Sequence, residues 1–446
     1  MKILMFTWEF PPLISGGLGM ACYGMVKALL ELGIKIDLVL PTKEVVYFPL
    51  RQVSDVDALP AVFLDQTLHK EFQSQKFTSV TERFEYIGIS GRPESYIQLD
   101  EVRDMMTTFS REQFVREYEV SSEREVWEDM TAHLIGDEDL IQKVQEYTLR
   151  AERFARELDY NLIHVHDWLT YPSGMLAKKI SQKPLVTHIH ATEFDRAGGP
   201  GDERVHKIEH AGMIFADRVI AVSQYTAQMI MSRYRIDTAK ISIVHNAFTL
   251  NSESEIAKKR IFKGPTVLFL GRITLQKGPD YFLEVAERVL KAHPEARFIM
   301  AGSGDMSRKL LRRSAYKRLQ NKFLFTGFLK RDQVEDILQA SDIYVLPSVS
   351  EPFGISPLEA MAFGITSIIS KQSGVSEVVN HAFKIDYWDV DLMAATINHL
   401  IENPEERLKM GLEGMQEVNK IHWNKAAEEI RNVYSSVLSQ YIKSNP

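Results

Sequence analysis

Residues 2–40 of the chain read KILMFTWEFPPLISGGLGMACYGMVKALLELGIKIDLVL. The short apolar run at 3–6 is typical of a buried parallel strand. After a loop rich in proline and glycine, apolar residues recur at helical spacing over 18–32, and Gly33 supplies a helix end. A second apolar run follows at 34–40. This succession of strand, helix and strand predicts a βαβ unit with parallel strands.

The same alternation covers two further stretches of the chain. It is interrupted at 45–157, an irregular and acidic part in which only a strand at 84–89 and a helix at 138–158 stand out. After the interruption, strands are predicted at 162–165, 185–189, 218–222 and 241–244. The polar residues 249–263 predict a linker. A second series follows the linker, with strands predicted at 266–270, 297–301, 323–326, 343–346 and 366–369.

Two successive series of this kind predict an α/β protein with two domains. Each domain is expected to hold a Rossmann-like, doubly wound parallel sheet, and the two sheets are expected to face each other across a cleft. We place the first domain at 1–250, the second at 261–422 and a C-terminal helix at 423–446.

Composition and charge exclude several classes of function. The chain has 446 residues and a net charge of −7, which argues against broad contact with nucleic-acid phosphates. The segment 101–160 alone carries −8, from sixteen acidic and eight basic residues, and the rest of the chain is left with +1. Cys22 is the single cysteine, which excludes an intrachain disulfide and a cysteine-based metal cluster. Since no long apolar stretch or signal-peptide pattern is present, we expect a cytoplasmic protein without a membrane span.

The first candidate binding element is the glycine-rich loop between the first strand and the first helix. Gly16 and Gly17 stand at the predicted start of that helix, where backbone amides can approach a phosphate. The spacing of the glycines is not that of the dinucleotide-binding G-x-G-x-x-G pattern. A tight turn without a ligand is the alternative interpretation.

A second candidate is the loop GRITLQKG at 271–278, directly after the first predicted strand of the second domain. Ligands of doubly wound sheets bind at the carboxyl ends of strands. Arg272 and Lys277 could therefore bind a diphosphate. The arginine would make bidentate hydrogen bonds, and the lysine would act as a point charge. The alternative is that both are solvated loop cations.

A third candidate is EPFGISPLE at 351–359, which also follows a predicted strand. Here Ser356 is predicted to cap a helix that starts at Pro357, with Glu359 completing a capping box. This capping role would explain Glu359 without any ligand.

Glu351 has no such structural account. It lies in the loop that is predicted to face the cleft. Beside it, the amides of Gly354 and Ile355 are expected to point toward any bound anion. These three residues are therefore candidates for ligand binding.

Two histidine pairs form the fourth candidate. The period of a strand puts His164 and His166 on one face, and His188 and His190 on one face of another strand. Such pairs on neighbouring strands could bind a metal, as in hydrolases that use His-x-His. Alternatively, one histidine of each pair is buried and hydrogen-bonded. In a third interpretation only His190 and Asp167, which end their strands, face the cleft.

Taken together, these segments resemble the retaining GT-B glycosyltransferases, in the group that contains glycogen and starch synthases, sucrose synthases and bacterial mannosyltransferases. The resemblance extends over nearly the whole chain, and its last segment has the Glu-x₇-Glu spacing of the group. The segments that carry it are WEFPPLISGGLG at 8–19, VHDW at 165–168, THIHATEFDR at 187–196, GRITLQKG at 271–278 and EPFGISPLE at 351–359.

The resemblance implies that a nucleotide sugar binds in the cleft as the substrate, held mainly by the second domain, with no cofactor and no metal. Arg272 and Lys277 would neutralise the leaving diphosphate. Glu351 would bind the hydroxyls of the donor sugar, supported by the amides of Gly354 and Ile355.

Further roles follow from the same resemblance. Glu359 would hold the ribose hydroxyls, and the loop with Gly16 and Gly17 would bring a backbone amide to the phosphate from the opposite wall. His190 would contact the transferred sugar, and Asp167 would line the acceptor side. The C-terminal helix would cross back onto the first domain.

The expected function is transfer of glucose, with retention, from ADP-glucose or UDP-glucose to an α-glucan, as in glycogen synthases. One alternative is the same chemistry with GDP-mannose or another UDP-sugar, or with a small acceptor as in sucrose and trehalose synthesis. A metal-dependent hydrolase that uses the histidine pairs is an alternative of another class. A third is a regulator that binds sugar nucleotides without turnover.

Overall fold

A computed structural model describes most of the chain, namely residues 1–10, 17–41, 84–88, 139–248, 262–319 and 321–444. Gly16, most of the acidic part at 45–157 and nearly all of the linker at 249–263 lie outside the described residues.

The first domain contains a sheet of seven parallel strands. In chain order they are β1 (Lys2–Phe6), β2 (Lys35–Leu40), β3 (Phe84–Gly88), β4 (Leu162–His166), β5 (Leu185–Ile189), β6 (Arg218–Ala221) and β7 (Ile241–Ile243). Their spatial order is β3-β2-β1-β4-β5-β6-β7, so the direction of winding reverses between β1 and β4.

The second domain contains a sheet of six parallel strands. These are β8 (Thr266–Leu270), β9 (Arg297–Ala301), β10 (Phe323–Gly327), β11 (Ile343–Leu346), β12 (Thr366–Ser370) and β13 (Phe383–Ile385). Their order is β10-β9-β8-β11-β12-β13, with the reversal between β8 and β11. The predicted α/β fold with two doubly wound parallel sheets is thus confirmed.

Helices cover both faces of the sheets. In the first domain they are α1 (Gly17–Glu31), α2 (Asp139–Glu157), α3 (Tyr171–Ser181), α4 (Glu193–Ala197), α5 (Glu203–Phe215) and α6 (Gln224–Met229). In the second domain and beyond they are α7 (Pro279–Ala292), α8 (Ser307–Tyr316), α9 (Arg331–Gln339), α10 (Ile355–Ala362), α11 (Val390–Glu402), α12 (Pro404–Val418) and α13 (Trp423–Ser444).

The predicted capping box at the start of α10 is wrong. The helix begins at Ile355, and Gly354, at φ 100°, occupies the cap position. Ser356 therefore lies in the first turn, where its hydroxyl accepts a hydrogen bond of 2.9 Å from Tyr344. Because Pro357 is tolerated anywhere in a first turn, it does not mark the first helical residue. Gly354 can adopt the left-handed φ that starts the helix early.

The C-terminal helix α13 packs on the first domain, along α1. Its indole at Trp423 lies directly over Gly24, where a Cβ atom would approach the indole nitrogen to 2.2 Å. Further along α13, the buried Tyr434 hydroxyl makes a 2.6 Å hydrogen bond with Nδ1 of His164. The helix thus completes the core on one face of the first sheet.

In the part of the chain that the structure describes, no helix has both the length and the apolar character that crossing a bilayer requires.

Candidate active site

The two motif loops of the second domain meet at the point where the winding of its sheet reverses. Arg272 and Lys277 lie in the loop after β8, and Glu351 lies in the loop after β11. Since β8 and β11 are hydrogen-bonded neighbours, their carboxyl ends open a crevice between the two loops. This is where doubly wound folds bind their ligands.

Lys277 and Glu351 form an ion pair at this point. The ammonium group donates to Oε2 of Glu351, and the Ser348 hydroxyl donates to the same oxygen over 3.1 Å. The lysine side chain is 15% exposed and the glutamate side chain 5%. The structure therefore brings together the predicted diphosphate cation and the predicted sugar carboxylate.

Arg272 differs from Lys277 in its exposure. Its side chain is exposed at the mouth of the crevice, and Nη2 donates a 3.3 Å hydrogen bond to Oε1 of Gln276 in the same loop. The guanidinium group can therefore reach a ligand without breaking a buried ion pair.

Two glycines allow the loops of this crevice to approach each other closely. Gly278, at φ 66°, leaves no room for a Cβ atom, which would approach the carbonyl oxygen of Pro347 to 1.9 Å. Gly302, at φ 134°, is equally close to the carbonyl oxygen of Gly271. The loop with Gly302 is not among the segments predicted from sequence, although the glycines directly after β9 are a signal for it.

The other predicted donor-site residues surround Glu351. A Cβ atom on Gly354 would lie 3.1 Å from Cγ of Glu351, so the start of α10 adjoins the carboxylate. Ile355 is the first residue of α10, and the half-buried Glu359 lies one turn further along it.

The wall formed by the first domain contains His190 and Asp167. Asp167, at φ 57°, follows β4, and its Oδ1 accepts the backbone N–H of His190 over 2.7 Å. A guanidinium nitrogen of Arg196 lies 3.8 Å from Oδ2 of Asp167. The structure therefore gives Asp167 a positioning role, because its carboxylate holds the chain at His190.

The two domains touch beside the Glu351 loop. Ser350 donates a hydrogen bond to the carboxylate of Asp195, and the hydroxyl groups of Tyr225 and Ser350 are 2.9 Å apart. Ser223 donates a 2.5 Å hydrogen bond to the carbonyl of Pro352. Burial raises the pKa of Asp195, against the effect of its hydrogen bonds.

A second contact between the domains is made by Glu377. Its carboxylate accepts the backbone N–H groups of Gln224 and Tyr225, over 2.8 and 2.7 Å, at the start of α6. Nε2 of His245 lies 2.7 Å from the same carboxylate. Burial raises the pKa of Glu377, but these hydrogen bonds outweigh burial and the net shift is downward.

Two family models match consecutive segments of the chain. Residues 113–252 match the model for Glycosyltransferase Family 4, and residues 251–416 match the model for Glycosyl transferases group 1. The two matches together cover more than half of the chain. The catalytic domain of starch synthase IV from Arabidopsis thaliana, bound to ADP and acarbose, has a similar fold, with a TM-score of 0.68. That similarity covers 98% of this chain and 99% of the other, at 16% sequence identity. The chain is a glycosyltransferase with the GT-B fold.

Relatives of this glycosyltransferase match it over nearly its full length. An uncharacterized glycosyltransferase of Methanocaldococcus jannaschii is 26% identical, over 97% of this chain and 98% of the relative. A glycogen synthase of Mycobacterium tuberculosis is 24% identical, over 97% of this chain and 94% of the relative. These matches favour sugar transfer over the metal-dependent hydrolase.

In this glycosyltransferase all four histidines of the two predicted pairs form one cluster. His166 lies opposite His188 in the register of β4 and β5, and His190 adjoins both. His164, His166 and His188 are buried, whereas His190 is half-buried at the cleft. Burial, followed by repulsion between the rings, lowers the pKa of the three buried imidazoles well below the usual value. These three rings are therefore neutral at physiological pH.

Only part of the glycine-rich loop can be located. Gly17 is the first residue of α1, and a Cβ atom there would meet no atom of the described residues within 4 Å. Gly16 lies outside the described residues. The role of this loop in phosphate binding stays a prediction.

Proposed function

We propose that this glycosyltransferase transfers glucose from ADP-glucose or UDP-glucose to an α-glucan, with retention of the anomeric configuration. The observation that carries the proposal is the ion pair of Lys277 and Glu351 at the reversal point of the second sheet. The similarity to a glycogen synthase over 97% of the chain supports glucose as the sugar and a glucan as the acceptor.

When the nucleotide sugar binds, Lys277 and Glu351 give up their ion pair and each contacts the donor instead. Lys277 turns from Glu351 to the diphosphate, and the exposed Arg272 binds it from the mouth of the crevice. Glu351, freed from the lysine, accepts hydrogen bonds from the sugar hydroxyls. Because the carboxylate stays close to its cation until the donor arrives, neither charge is left buried alone.

The same cations serve the chemical step. Departure of the nucleoside diphosphate leaves the sugar with oxocarbenium character, while negative charge grows on the phosphate oxygens. Fixed cations at those oxygens stabilise the transition state more than the ground state. The acceptor attacks from the face that the diphosphate leaves, and the departing phosphate takes the acceptor proton.

The first domain supplies the other wall. His190 contacts the transferred sugar, and Asp167 holds the backbone of His190 in place on the acceptor side. Glu359 binds the ribose, and Gly16 and Gly17 bring a backbone amide to the phosphate. The contacts that join the domains beside Glu351 keep water away from the donor.

Product analysis tests the choice of donor and acceptor. The purified chain is incubated with ADP-glucose, UDP-glucose or GDP-mannose, each with glycogen or with a sugar phosphate. We expect glycogen chains to lengthen with a glucose donor, and the added glucose to be released by an α-1,4-specific glucosidase. Turnover of GDP-mannose alone, or transfer to the sugar phosphate alone, would overturn the proposed specificity. A β-linked product, identified by NMR of the anomeric proton, would overturn retention.

Substitution of Lys277 tests the site. We expect Lys277→Ala to lower kcat/KM by roughly 100-fold or more, the usual cost of losing a group that stabilises developing charge. Lys317→Ala is the matched control, because Lys317 is 20% exposed and pairs with Glu287 elsewhere in the same domain. Near-normal activity of the Lys277 variant, or an equal loss in the control, would refute the site.

A further inference from the structure

The histidine cluster lies on the face of the first sheet that α1 and α13 cover. Neighbouring positions on that face carry apolar side chains such as Ile3, Met5 and Val186. On the same face β4 carries His164 and His166, and β5 carries His188 opposite His166. The three ring centroids lie 4.2 to 5.4 Å from one another.

Two hydrogen bonds engage one nitrogen of each ring on β4. Nδ1 of His164 bonds to the Tyr434 hydroxyl over 2.6 Å, and Nδ1 of His166 lies 3.0 Å from Nε2 of His190. Among the described residues, Nε2 of His164, Nε2 of His166 and both nitrogens of His188 have no hydrogen-bond partner. Buried polar atoms are rarely left without partners, because each lost hydrogen bond is costly.

We propose that these nitrogens bind one zinc ion, through His164, His166 and His188. Their ligand atoms all lie within 4.8 Å of one another. Two histidines separated by one residue on a strand share one face, and His188 on the next strand lies on the same face. Neutral imidazole is a preferred ligand of Zn²⁺, and three histidines leave the fourth position of a tetrahedral site open.

The surroundings of the rings fit this role. Ligating histidines usually bond through their second nitrogen to an outer partner that fixes the ring, and Tyr434 is such a partner for His164. The Sγ atom of Cys22 on α1 lies within 4.8 Å of ligand nitrogens of His166 and His190, so a soft donor borders the site. Because the ion binds between the sheet and α13, it ties the C-terminal helix to the first domain.

The inference does not depend on the choice of donor or acceptor, and its first test is metal content. Untagged protein is stripped with a chelator, reloaded with Zn²⁺, desalted and measured by inductively coupled plasma mass spectrometry. We expect about one zinc per chain, and Co²⁺ in its place should give the strong visible absorption of a four-coordinate site. Negligible zinc after reloading, with no cobalt absorption, would overturn the proposal.

Replacement of His188 distinguishes two explanations of its ring, namely that it binds a metal or that it is buried without hydrogen-bond partners. If His188 binds zinc, His188→Leu loses the metal and no longer shows a rise in Tm on addition of Zn²⁺. If the ring merely lacks partners, an apolar side chain of similar size is neutral or stabilising, and no zinc dependence is present to lose. The second result would refute the site. His210→Leu, a partly buried histidine on α5, is the control and should keep the metal.

Tyr434→Phe provides a variant that keeps the packing of the ring. Loss of an outer partner typically weakens metal binding about 10–100-fold, and we expect that change in competition with a chelating dye. Unchanged zinc affinity in this variant would contradict the placement of the ion at His164.

Discussion

Replacing Lys277 by methionine should destabilise the second domain when no donor is bound. The variant leaves the carboxylate of Glu351 buried, at 5% exposure, with only the Ser348 hydroxyl as a described hydrogen-bond donor to Oε2. Removing one partner of a buried ion pair typically costs about 3–5 kcal/mol. Because the Lys277 side chain is itself 15% exposed, we expect a loss in free energy of unfolding near the lower end of that range.

The assay is differential scanning calorimetry of the protein without nucleotide. For a domain of this size, 1 kcal/mol shifts Tm by roughly 2–4 °C, so the Lys277→Met transition should fall by about 6–12 °C. The double variant with Glu351→Gln should recover most of this loss, because a neutral amide needs no cation and can still accept from Ser348. Lys317→Met serves as the control. Its partner Glu287 is 32% exposed, and such pairs contribute about 1 kcal/mol or less.

Two results would refute this reasoning. If Lys277→Met has the same Tm as the wild type, the buried carboxylate of Glu351 is not stabilised by the ion pair. If the double variant is no more stable than the single one, the loss comes from the missing lysine packing and not from an unpaired charge. In either case the exchange of the lysine between glutamate and diphosphate would lose its energetic basis.

Three further predictions concern other parts of the molecule. Gly24→Ala should cost about 1–3 kcal/mol, because the new methyl group overlaps the indole of Trp423, and limited proteolysis should then cut α13 sooner. Burial raises the pKa of Glu209 to about 7 from 4.5, so the wild type should lose about 3 kcal/mol of stability relative to Glu209→Gln as pH rises from 4.5 to 7. Glu377→Gln should speed hydrogen exchange at the start of α6 by about tenfold or more, because charge-assisted bonds to two amides are weakened.

Each of these predictions has its own control or contrary outcome. Gly17→Ala is the control for Gly24, since a Cβ atom at Gly17 meets no atom of the described residues within 4 Å and stability should not change. For Glu209 the sign is decisive: a carboxyl whose pKa is raised by folding stabilises the protein at low pH and loses that effect as it ionises. A stability difference that grew with pH in favour of the wild type would contradict the burial of this acid. For Glu377, exchange that is unchanged at α6 but faster elsewhere would show that the carboxylate does not cap this helix.

The strands and the positions of the two loops at the reversal point of the second sheet were largely predictable from sequence. Buried parallel strands are short apolar runs, so β5, β8 and β11 were predicted with their observed ends. Position directly after such a strand was sufficient to select the loops with Lys277 and Glu351. The edge strand β13 was missed because Lys384 lies between its two apolar residues, which leaves no apolar run.

Features that depend on distant parts of the chain were not predictable. The ion pair of Lys277 and Glu351 joins residues 74 positions apart, and sequence spacing contains no information on that distance. Glu377 has the composition of an ordinary loop residue, and its role becomes apparent only when α6 of the other domain lies against it. The capping prediction at Ser356 failed for a local reason, since Gly354 starts the helix two residues before Pro357.

The return of α13 to the first domain also affects the order in which the chain can fold. The first domain is discontinuous, because its core combines strands made early in synthesis with Trp423 and Tyr434 from the last part of the chain. The second domain is continuous, and domains generally fold as units during synthesis. While the ribosome still holds the C-terminal residues, one face of the first sheet is covered by α1 but not yet by α13. The domain that is synthesised first is therefore the last to be completed, and a chain truncated before α13 would expose apolar surface there.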